Sequence, residues 1–429
     1  MRYSRIPRDL FIRNREKLAG KLDKNALAIV HSNDQMLRNG DQFYPYRQNS
    51  DLFYLTGLEQ EMTILLICPD HPSENRQELL FIREPDPKLE SWEGKKLDKK
   101  MAEEISGIGN IHWLDEFESI ARDIILESEN IYCASQELLK FRPDYLSRDE
   151  RHLAKLKEEY PLHNMRRLSP IMTELRILKE PEELALIKKS AEITKSGFDR
   201  ILAILKPGLK EYEVEAALSY EFIRNGASGH AYQPIVASGA NACFLHYIKN
   251  DQLCHDGDML LLDFGAEYAN YAADCSRTIP VNGRFNSRQK DLYNAILRVF
   301  RKARDLIKPG TTIDLINKDV GKLWEEEHVR LGLYSTRDIQ EQSQGKPLHV
   351  KYGMHGVSHF LGLDVHDVGS KQEKLKPGMV LTCEPGIYIP AEKTGIRLEN
   401  DILVTEAGNI DLMEDISIDS EEIEDLMHR

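Results

Sequence analysis

The stretch GMHGVSHFLGLDVHD, residues 353–367, places His355, His359 and His366 within 12 positions of a 429-residue chain that contains only 14 histidines. An imidazole donates a lone pair to a cation, and nearby carboxylates balance the charge of that cation. Predicted strands that carry Asp and Glu lie on both sides of this stretch. The stretch therefore predicts a cation site, and a chance grouping of histidines around a glycine turn is the alternative.

Length and composition indicate a globular protein of two domains. A chain of 429 residues exceeds what one hydrophobic core usually serves. Its content of 41% hydrophobic and 30% charged residues is typical of soluble proteins. The 57 basic and 71 acidic side chains give a net charge of −14, which is the wrong sign for a phosphate-binding surface. We therefore expect no nucleic-acid partner.

The N-terminus and the cysteines of the chain indicate a cytoplasmic protein. The N-terminus is charged and lacks the apolar segment of a signal peptide, and no later segment has the length needed to span a bilayer. The six cysteines lie far apart and form no Cys-x-x-Cys pair, so neither a zinc knuckle nor a disulfide framework is indicated. We expect reduced cysteines and no membrane partner.

The N-terminal part alternates predicted strands with predicted helices, which is typical of an α/β layer domain. The predicted strands are residues 26–31, 52–56, 62–67 and 78–82, and the predicted helices are residues 9–22, 99–106, 117–127 and 147–159. Few potential ligands cluster here, so we expect this part to serve assembly and to shape the cleft. A turn at Ser169-Pro170 separates two predicted domains, residues 1–170 and 171–429.

One tryptophan of the N-terminal part, Trp92, lies in a predicted exposed loop, residues 90–94. Local packing of the indole is the simpler interpretation of this position. A lid over a substrate is the alternative, because loops often carry functional side chains.

The C-terminal part contains an internal repeat. Two predicted pairs of helices, residues 180–205 with 211–225 and residues 287–307 with 313–331, are each interrupted by Lys-Pro-Gly. After each pair, an apolar strand begins at a glycine and reaches a carboxylate six positions later, at Asp263 and at Glu384. We infer a pseudo-duplication in which each half brings one acid from an equivalent strand to a central cleft.

Asp263 and Asp274 are placed by a predicted hairpin. A two-residue turn at Tyr268-Ala269 would set the two aspartates opposite each other. Two adjacent carboxylates repel each other unless a cation lies between them. Solvated acids on an exposed strand face are the alternative, but residues 259–264 are almost wholly apolar and indicate burial.

Two further acids follow in the second half of the repeat. Glu384 precedes Pro385, and Glu399 lies in a predicted strand, residues 395–404. Arg397 and Glu399 share one face of that strand by the period of two. Arg397 is therefore expected to orient a metal-binding carboxylate, and a plain ion pair is the alternative.

Four carboxylates with one or more imidazoles make a site dominated by oxygen ligands. Such a site suits Mn²⁺ better than a structural zinc, which prefers thiolates. Four acids exceed the charge of one divalent ion, so two ions are the natural number; such pairs lie about 3.5–4 Å apart and hold a hydroxide that attacks an acyl or phosphoryl centre. A zincin helix is disfavoured, because Gly356 follows His355 where that motif needs Glu.

These residues and their motifs resemble the aminopeptidase P family of Xaa-Pro aminopeptidases. The matching motifs are Leu-Asp-Phe-Gly (262–265), residues 355–367, Glu-Pro-Gly-Ile-Tyr (384–388) and Gly-Ile-Arg-Leu-Glu-Asn-Asp (395–401). Residues 44–57, YPYRQNSDLFYLTG, are similar to the N-terminal domain of that family. The resemblance covers the C-terminal half throughout and implies a pita-bread catalytic domain behind an N-terminal α/β domain.

The resemblance also implies the reaction and the role of each residue. A bridging hydroxide on two divalent ions, most often Mn²⁺ with Zn²⁺ or Co²⁺ as alternatives, attacks the carbonyl of the residue that precedes proline. The implied metal ligands are Asp263, Asp274, His359, Glu384 and Glu399. The implied catalytic residues are Glu384, His246, His366 and Arg397, and the implied substrate-binding residues are His355, His366 and Tyr388. His355 is equally readable as a neutral scaffold residue.

Three other functions compete with this one. Prolidase shares the five ligands but accepts only Xaa-Pro dipeptides, and methionine aminopeptidase does not need so long an N-terminal domain. Non-catalytic pita-bread proteins bind partners and typically lack ligands that are all present here. We therefore expect a cytoplasmic metallo-aminopeptidase that acts on peptides with proline at the second position and forms a dimer or tetramer of identical chains.

Overall fold

A computed structural model describes residues 2–135, 144–342 and 347–428 of the chain. The chain divides into two compact units, one from Ser4 to Arg176 and one that begins at Ile177 and also includes Arg2 and Tyr3. No helix of the described residues is long and apolar enough to cross a membrane.

The first unit is built on a six-stranded sheet in the order β6-β5-β4-β1-β7-β8. Its strands are β1 (Ala26–His31), β4 (Ile64–Ile67), β5 (Glu78–Ile82), β6 (Ile111–Trp113), β7 (Asn130–Cys133) and β8 (Asn164–Arg167), while β2 (Leu37–Asn39) and β3 (Gln42–Phe43) form a separate hairpin. Every residue of β1 and β4 is buried. Continuous apolar runs of this kind are typical of central strands covered on both faces.

The helices of the first unit correct two predictions. They are α1 (Arg8–Ala19), α2 (Ser50–Thr56), α3 (Pro87–Glu93), α4 (Lys99–Ser106), α5 (Phe117–Glu127), α6 (Arg148–Glu159) and α7 (Ser169–Arg176). The strand predicted at residues 52–56 is wrong, because Asn49 caps a helix there and Gly57, at φ 69°, ends it. Trp92 lies on α3 rather than in a loop, and it is 88% exposed.

The second unit repeats a pair of long helices followed by antiparallel strands. The first half contains α8 (Pro181–Ile204), α9 (Glu211–Arg224), β9 (Gly229–His230), β10 (Ile235–Ser238), β11 (Met259–Phe264), β12 (Ala266–Tyr268), β13 (Tyr271–Ala272) and β14 (Cys275–Pro280). The second half contains α10 (Ser287–Leu306), α11 (Ile313–Arg330), α12 (Thr336–Gln340), β15 (Val380–Cys383), β16 (Gly386–Ile389), β17 (Thr394–Arg397), β18 (Asn400–Thr405), β19 (Gly408–Asp411) and α13 (Ser420–Met427). The predicted long helices agree with these bounds to within two residues.

Two details of the strands differ from the predictions. The hairpin turns at Ala269-Asn270, one residue later than expected, because both residues adopt positive φ, 52° and 64°. Asp263 therefore pairs with Ser276, and Asp274 becomes its diagonal neighbour on the same face. The strand predicted at residues 395–404 is interrupted between β17 and β18, at the position of Glu399.

Candidate metal centre

The five predicted ligands converge on one buried place in the second unit. Asp263 lies on β11, Asp274 directly precedes β14, Glu384 directly follows β15, and Glu399 lies between β17 and β18. Ligand atoms of Asp274, His359 and Glu399 lie within 4.8 Å of one another. Glu384 Oε1 lies 3.8 Å from His359 Nε2, which joins the fourth acid to this group.

Asp263 joins the group through Tyr232. The Tyr232 hydroxyl lies 2.6 Å from Asp263 Oδ1 and 2.6 Å from Asp274 Oδ1. A hydroxyl carries one proton and can donate to only one of the two carboxylates at a time. The second short oxygen–oxygen contact therefore needs a proton on the other aspartate or a cation beside it.

His359 directs its Nε2 atom toward the acids. Its Nδ1 lies 3.0 Å from the Phe360 carbonyl oxygen, which can only accept, so Nδ1 carries the proton. The Nε2 atom then faces Asp274 Oδ2 at 3.4 Å. Burial alone would lower the pKa of His359, but hydrogen bonding to Asp274 and the charge of Glu384 raise it to about 9. A proton on Nε2 thus occupies the place that a cation would take.

The buried acids are short of positive charge. Burial, together with the charges of Asp274 and Asp263, raises the pKa of Glu384 to about 7. Burial and the same kind of repulsion raise the pKa of Glu399 well above its ordinary value. Carboxylates and one imidazole in this state are the donor set that binds a hard divalent ion, so the residues fit a metal site.

Arg397 contacts Asp263 rather than Glu399. Its Nη2 donates a short hydrogen bond to Asp263 Oδ2, and its Nε donates to the Ser276 hydroxyl at 2.8 Å. That hydroxyl in turn donates to Glu399 Oε2 at 2.7 Å. Arg397 therefore orients one acid directly and a second one through Ser276.

His355 and Tyr388 form a relay of hydrogen bonds on the other side of Arg397. Arg397 Nη1 donates to the Tyr388 hydroxyl, and that hydroxyl lies 2.8 Å from His355 Nε2. His355 Nδ1 donates to the Gly356 carbonyl at 2.8 Å. Burial, and then the charge of Arg397, lowers the pKa of His355 to about 4. Both ring nitrogens are thus engaged in a neutral imidazole.

The remaining predicted residues, His246 and His366, are exposed. The ring of His366 lies 4.4 Å from that of His359, edge to face. His366 exposes part of its surface, but partial desolvation of its ring and then the charge of His359 lower its pKa, and the charge of nearby His246 adds to the lowered pKa values of both His366 and His355. The metal ligands therefore form the buried floor of the site, and the imidazoles of His246 and His366 lie on its solvent-accessible side.

Three contributors were missed by sequence reasoning. Tyr232 bridges Asp263 and Asp274, and the Ser276 hydroxyl links Arg397 to Glu399. Asp401, fully buried, accepts a hydrogen bond from the Asp274 backbone N–H at 3.2 Å. Tyr232 stands 31 positions before Asp263, so no local spacing connects the two residues. The pattern did hold one signal for Asp401, because it follows Glu399 by two positions in the same motif.

Comparisons with known proteins bear on both units. Residues 185–406 match metallopeptidase family M24, and residues 11–132 match the N-terminal domain of aminopeptidase P. The Xaa-Pro aminopeptidase of Escherichia coli is 34% identical over 99% of this chain and 98% of its own. A structure assigned to aminopeptidase P from Bacillus anthracis superposes with a TM-score of 0.91 at 36% identity, covering 98% of each chain.

A second solved structure agrees with the first. Zinc-substituted Escherichia coli aminopeptidase P in complex with product superposes with a TM-score of 0.89 at 33% identity, covering 99% of each chain. The expected fold class, an N-terminal α/β domain followed by a catalytic domain of the aminopeptidase P type, is confirmed by these matches.

Proposed function

The chain belongs to metallopeptidase family M24, and from this premise we propose how its residues carry out metal-dependent hydrolysis of the bond between an N-terminal residue and proline. The enzyme is an Xaa-Pro aminopeptidase. One observation carries this conclusion, namely the buried group of Asp274, His359 and Glu399 in a chain that aligns from end to end with Xaa-Pro aminopeptidases.

The metal site would hold two divalent ions, and we propose Mn²⁺ because the donor set is rich in carboxylates. Its ligands would be Asp263, Asp274, His359, Glu384 and Glu399. When bound, the ions supply Lewis acidity and a nucleophilic water for attack on a carbonyl. Tyr232, Ser276 and Arg397 fix the orientation of the acids, which keeps the ligands in place before any ion enters.

Glu384 is proposed to move the proton of the attacking water to the leaving nitrogen. The proline nitrogen is a tertiary amide without an N–H and must gain a proton to leave as an amine. A carboxyl group that is only 17% exposed and borders His359 can take the proton in one step and return it in the next. The water oxygen bonds to the carbonyl carbon first, and the tetrahedral intermediate then breaks its C–N bond as the nitrogen takes the proton, which gives a carboxylic acid and a secondary amine.

His246 and His366 are proposed to act on the substrate from the accessible side of the site. A tetrahedral intermediate carries negative charge on its oxygen, and N–H donors nearby stabilise that charge. His355 is proposed to orient Tyr388 and Arg397 and to line the proline pocket. Its pKa of about 4 and its two engaged nitrogens make it unsuited to proton transfer at neutral pH.

Three further properties are proposals that follow from the expectations above. The chain is proposed to act in the cytoplasm, to assemble as a dimer or tetramer, and to use residues 1–170 for assembly and for shaping the cleft. Gel filtration with light scattering would measure the assembly, and a monomer would contradict it.

Cleavage of an Xaa-Pro-Xaa-Xaa peptide by the metal-free protein, with and without added Mn²⁺, tests the proposed function. We expect release of the first amino acid only after addition of the metal ion. The same peptide with alanine in place of proline is the control. Cleavage confined to Xaa-Pro dipeptides would indicate a prolidase, and absence of both metal and hydrolysis would indicate a binding protein.

A further inference from the structure

The loop that carries His246 is held by one buried carboxylate. Glu211, the first residue of α9, is fully buried, and its two carboxylate oxygens accept four hydrogen bonds. All four donors belong to the segment that contains this loop: Ser238 N at 2.8 Å, Asn241 Nδ2 at 3.1 Å, Tyr247 Oη at 2.8 Å and Gln252 N at 2.9 Å. The carboxylate therefore fixes both ends of the loop and its interior.

The same residue also closes the far end of the loop with its backbone. Glu211 N donates to the Gln252 carbonyl at 3.0 Å, while Gln252 N donates to the Glu211 carboxylate. Hydrogen bonds to an ionised carboxylate are stronger than neutral ones, and a helix N-terminus favours a negative charge. These hydrogen bonds stabilise the buried Glu211 carboxylate, which has no cationic partner among the residues that the structure describes.

The inner half of the loop is confined in a second way. A short 3₁₀ turn, Gly239–Cys243, packs against β17, the strand that ends at Arg397. A Cβ at Gly395 would lie 2.0 Å from the Ala242 carbonyl oxygen, so the two backbones touch. The inner half of the loop is thus fixed in position against β17, the strand that carries Arg397.

The outer half of the loop has little packing of its own. Phe244 and Ile248 are 66% and 51% exposed, and His246 between them is exposed as well. Leu245 and Tyr247, on either side of His246, are the exceptions, because both pack partly buried against an apolar cluster and the Tyr247 hydroxyl also reaches inward to Glu211. Burial, and then Glu211, raises the pKa of Tyr247, so the hydroxyl stays protonated and donates. The hydrogen bond from Tyr247 to Glu211 is therefore the polar restraint next to His246, beside the apolar packing of Leu245 and the Tyr247 ring.

We propose that Glu211 is a positioning residue for the hydrolysis: through Tyr247 and Asn241 it sets where the imidazole of His246 stands relative to the scissile bond. The inference rests on the proposed role of His246 in the reaction. A misplacement of about 1 Å at a reacting group can reduce a rate by about 10²-fold, so a loosened loop is expected to be costly.

The test is a set of single and double variants of the metal-loaded enzyme. Tyr247→Phe removes one donor to Glu211 and keeps the ring. We expect kcat to fall by about tenfold with KM within about twofold and metal content unchanged. Tyr293→Phe is the matched control, because its hydroxyl also makes one 2.8 Å hydrogen bond, to the Ile418 carbonyl, away from the loop. The control is expected to keep its kcat.

Combination with His246→Ala separates positioning from general stability. If Tyr247 acts through His246, Tyr247→Phe should lower kcat no further in the His246→Ala background. An equal fall in both backgrounds, or a lower melting temperature with unchanged kcat, overturns the positioning role. If His246→Ala keeps full kcat, the proposed role of His246 fails first, and the positioning role falls with it.

Glu211→Gln extends the test to the carboxylate itself. An amide offers one acceptor oxygen and an NH₂ group, so one of the two backbone N–H groups, that of Ser238 or that of Gln252, would face another donor. We expect a fall in kcat of about 10²-fold and faster hydrogen–deuterium exchange in peptides covering residues 239–250. If this variant does not fold, Asn241→Ala with Tyr247→Phe gives the same readout. Unchanged exchange in the loop would contradict the proposal.

Discussion

The buried Arg15 of the first unit and the buried acids of the metal centre in the second unit are held in opposite ways. In the first unit, Arg15 is 1% exposed, and its guanidinium donates to the Leu55 carbonyl, the Ser106 carbonyl and Glu78 Oε2 at 2.8, 2.9 and 3.0 Å. In the second unit, Asp274 and Glu399 are buried close together beside His359. Satisfied charges join parts of a fold, whereas like charges gathered in one place reduce stability and mark a binding site. The metal centre is therefore a place where the requirement for binding a metal ion lowers the stability of the fold.

The strongest test of this contrast is Asp274→Asn. The variant removes one negative ligand and keeps its shape, so we expect loss of at least one metal ion and a fall in kcat/KM of about 10³-fold or more. The melting temperature of the metal-free protein should not fall, because repulsion is relieved. Elemental analysis and calorimetry measure the two effects. Unchanged metal content would rule out Asp274 as a ligand.

Arg15→Leu tests the opposite case in the first unit. Removal of the guanidinium leaves two buried carbonyl groups without their donor, so the free energy of unfolding should fall by about 3 kcal/mol. Activity per folded molecule should stay unchanged. Urea denaturation measures the loss, with the exposed Arg8→Leu on the same helix as control. A stable Arg15→Leu variant would contradict a structural role for this charge.

A histidine of the second unit that is buried in its neutral form makes the free energy of unfolding depend on pH. Burial lowers the pKa of His328 in the second unit to about 4, against an unfolded value of 6.5. The unfolded chain binds more protons between these values, so this residue lowers the free energy of unfolding as pH falls from about 6.5 toward 4. The loss between pH 7 and pH 5 should be about 2 kcal/mol larger in the parent protein than in His328→Gln. Urea denaturation at both values measures it, and equal losses would contradict the assignment.

The smallest expected effect concerns an exposed residue of the first unit. Trp92 is 88% exposed, and a lid over a bound substrate is the alternative to local packing of its indole. Trp92→Ala should raise KM for long peptides by roughly fivefold, about 1 kcal/mol, and leave tripeptides unaffected. KM against peptide length is the measurement. An unaltered profile with a lowered melting temperature would favour local packing instead.

Sequence patterns predicted most of the helices and strands, but they missed places where helix caps or turn residues decide the local structure. The bounds of β1, β5 and α5 match the predictions because the apolar pattern of each element continues to its ends. The segment at residues 52–56 has the composition of a strand, yet its caps at Asn49 and Gly57 impose a helix. The hairpin turn was predicted one residue too early, because the prediction assumed that Asp263 and Asp274 lie directly opposite each other. Asn270 readily adopts positive φ, which places the turn at Ala269-Asn270 instead.

The site was predictable where a motif carries it. Each of the five expected ligands stands in its own short motif and also lies in the convergent group, whereas Tyr232, Ser276 and Glu211 act through partners distant in the chain. A single hydroxyl or carboxyl group has no local spacing that reveals such a partner. Long-range hydrogen bonds of this kind become visible only after folding.

The Tyr232 hydroxyl proton lies between Asp263 and Asp274, and it is one of several protons held among the metal ligands. Without metal the site is a small reservoir of protons, with pKa values of about 9 at His359 and about 7 at Glu384. Filling it with cations is therefore an exchange, in which each entering ion expels protons into the buffer. The apparent affinity for metal should rise with pH, and the heat of binding should vary with the ionisation enthalpy of the buffer.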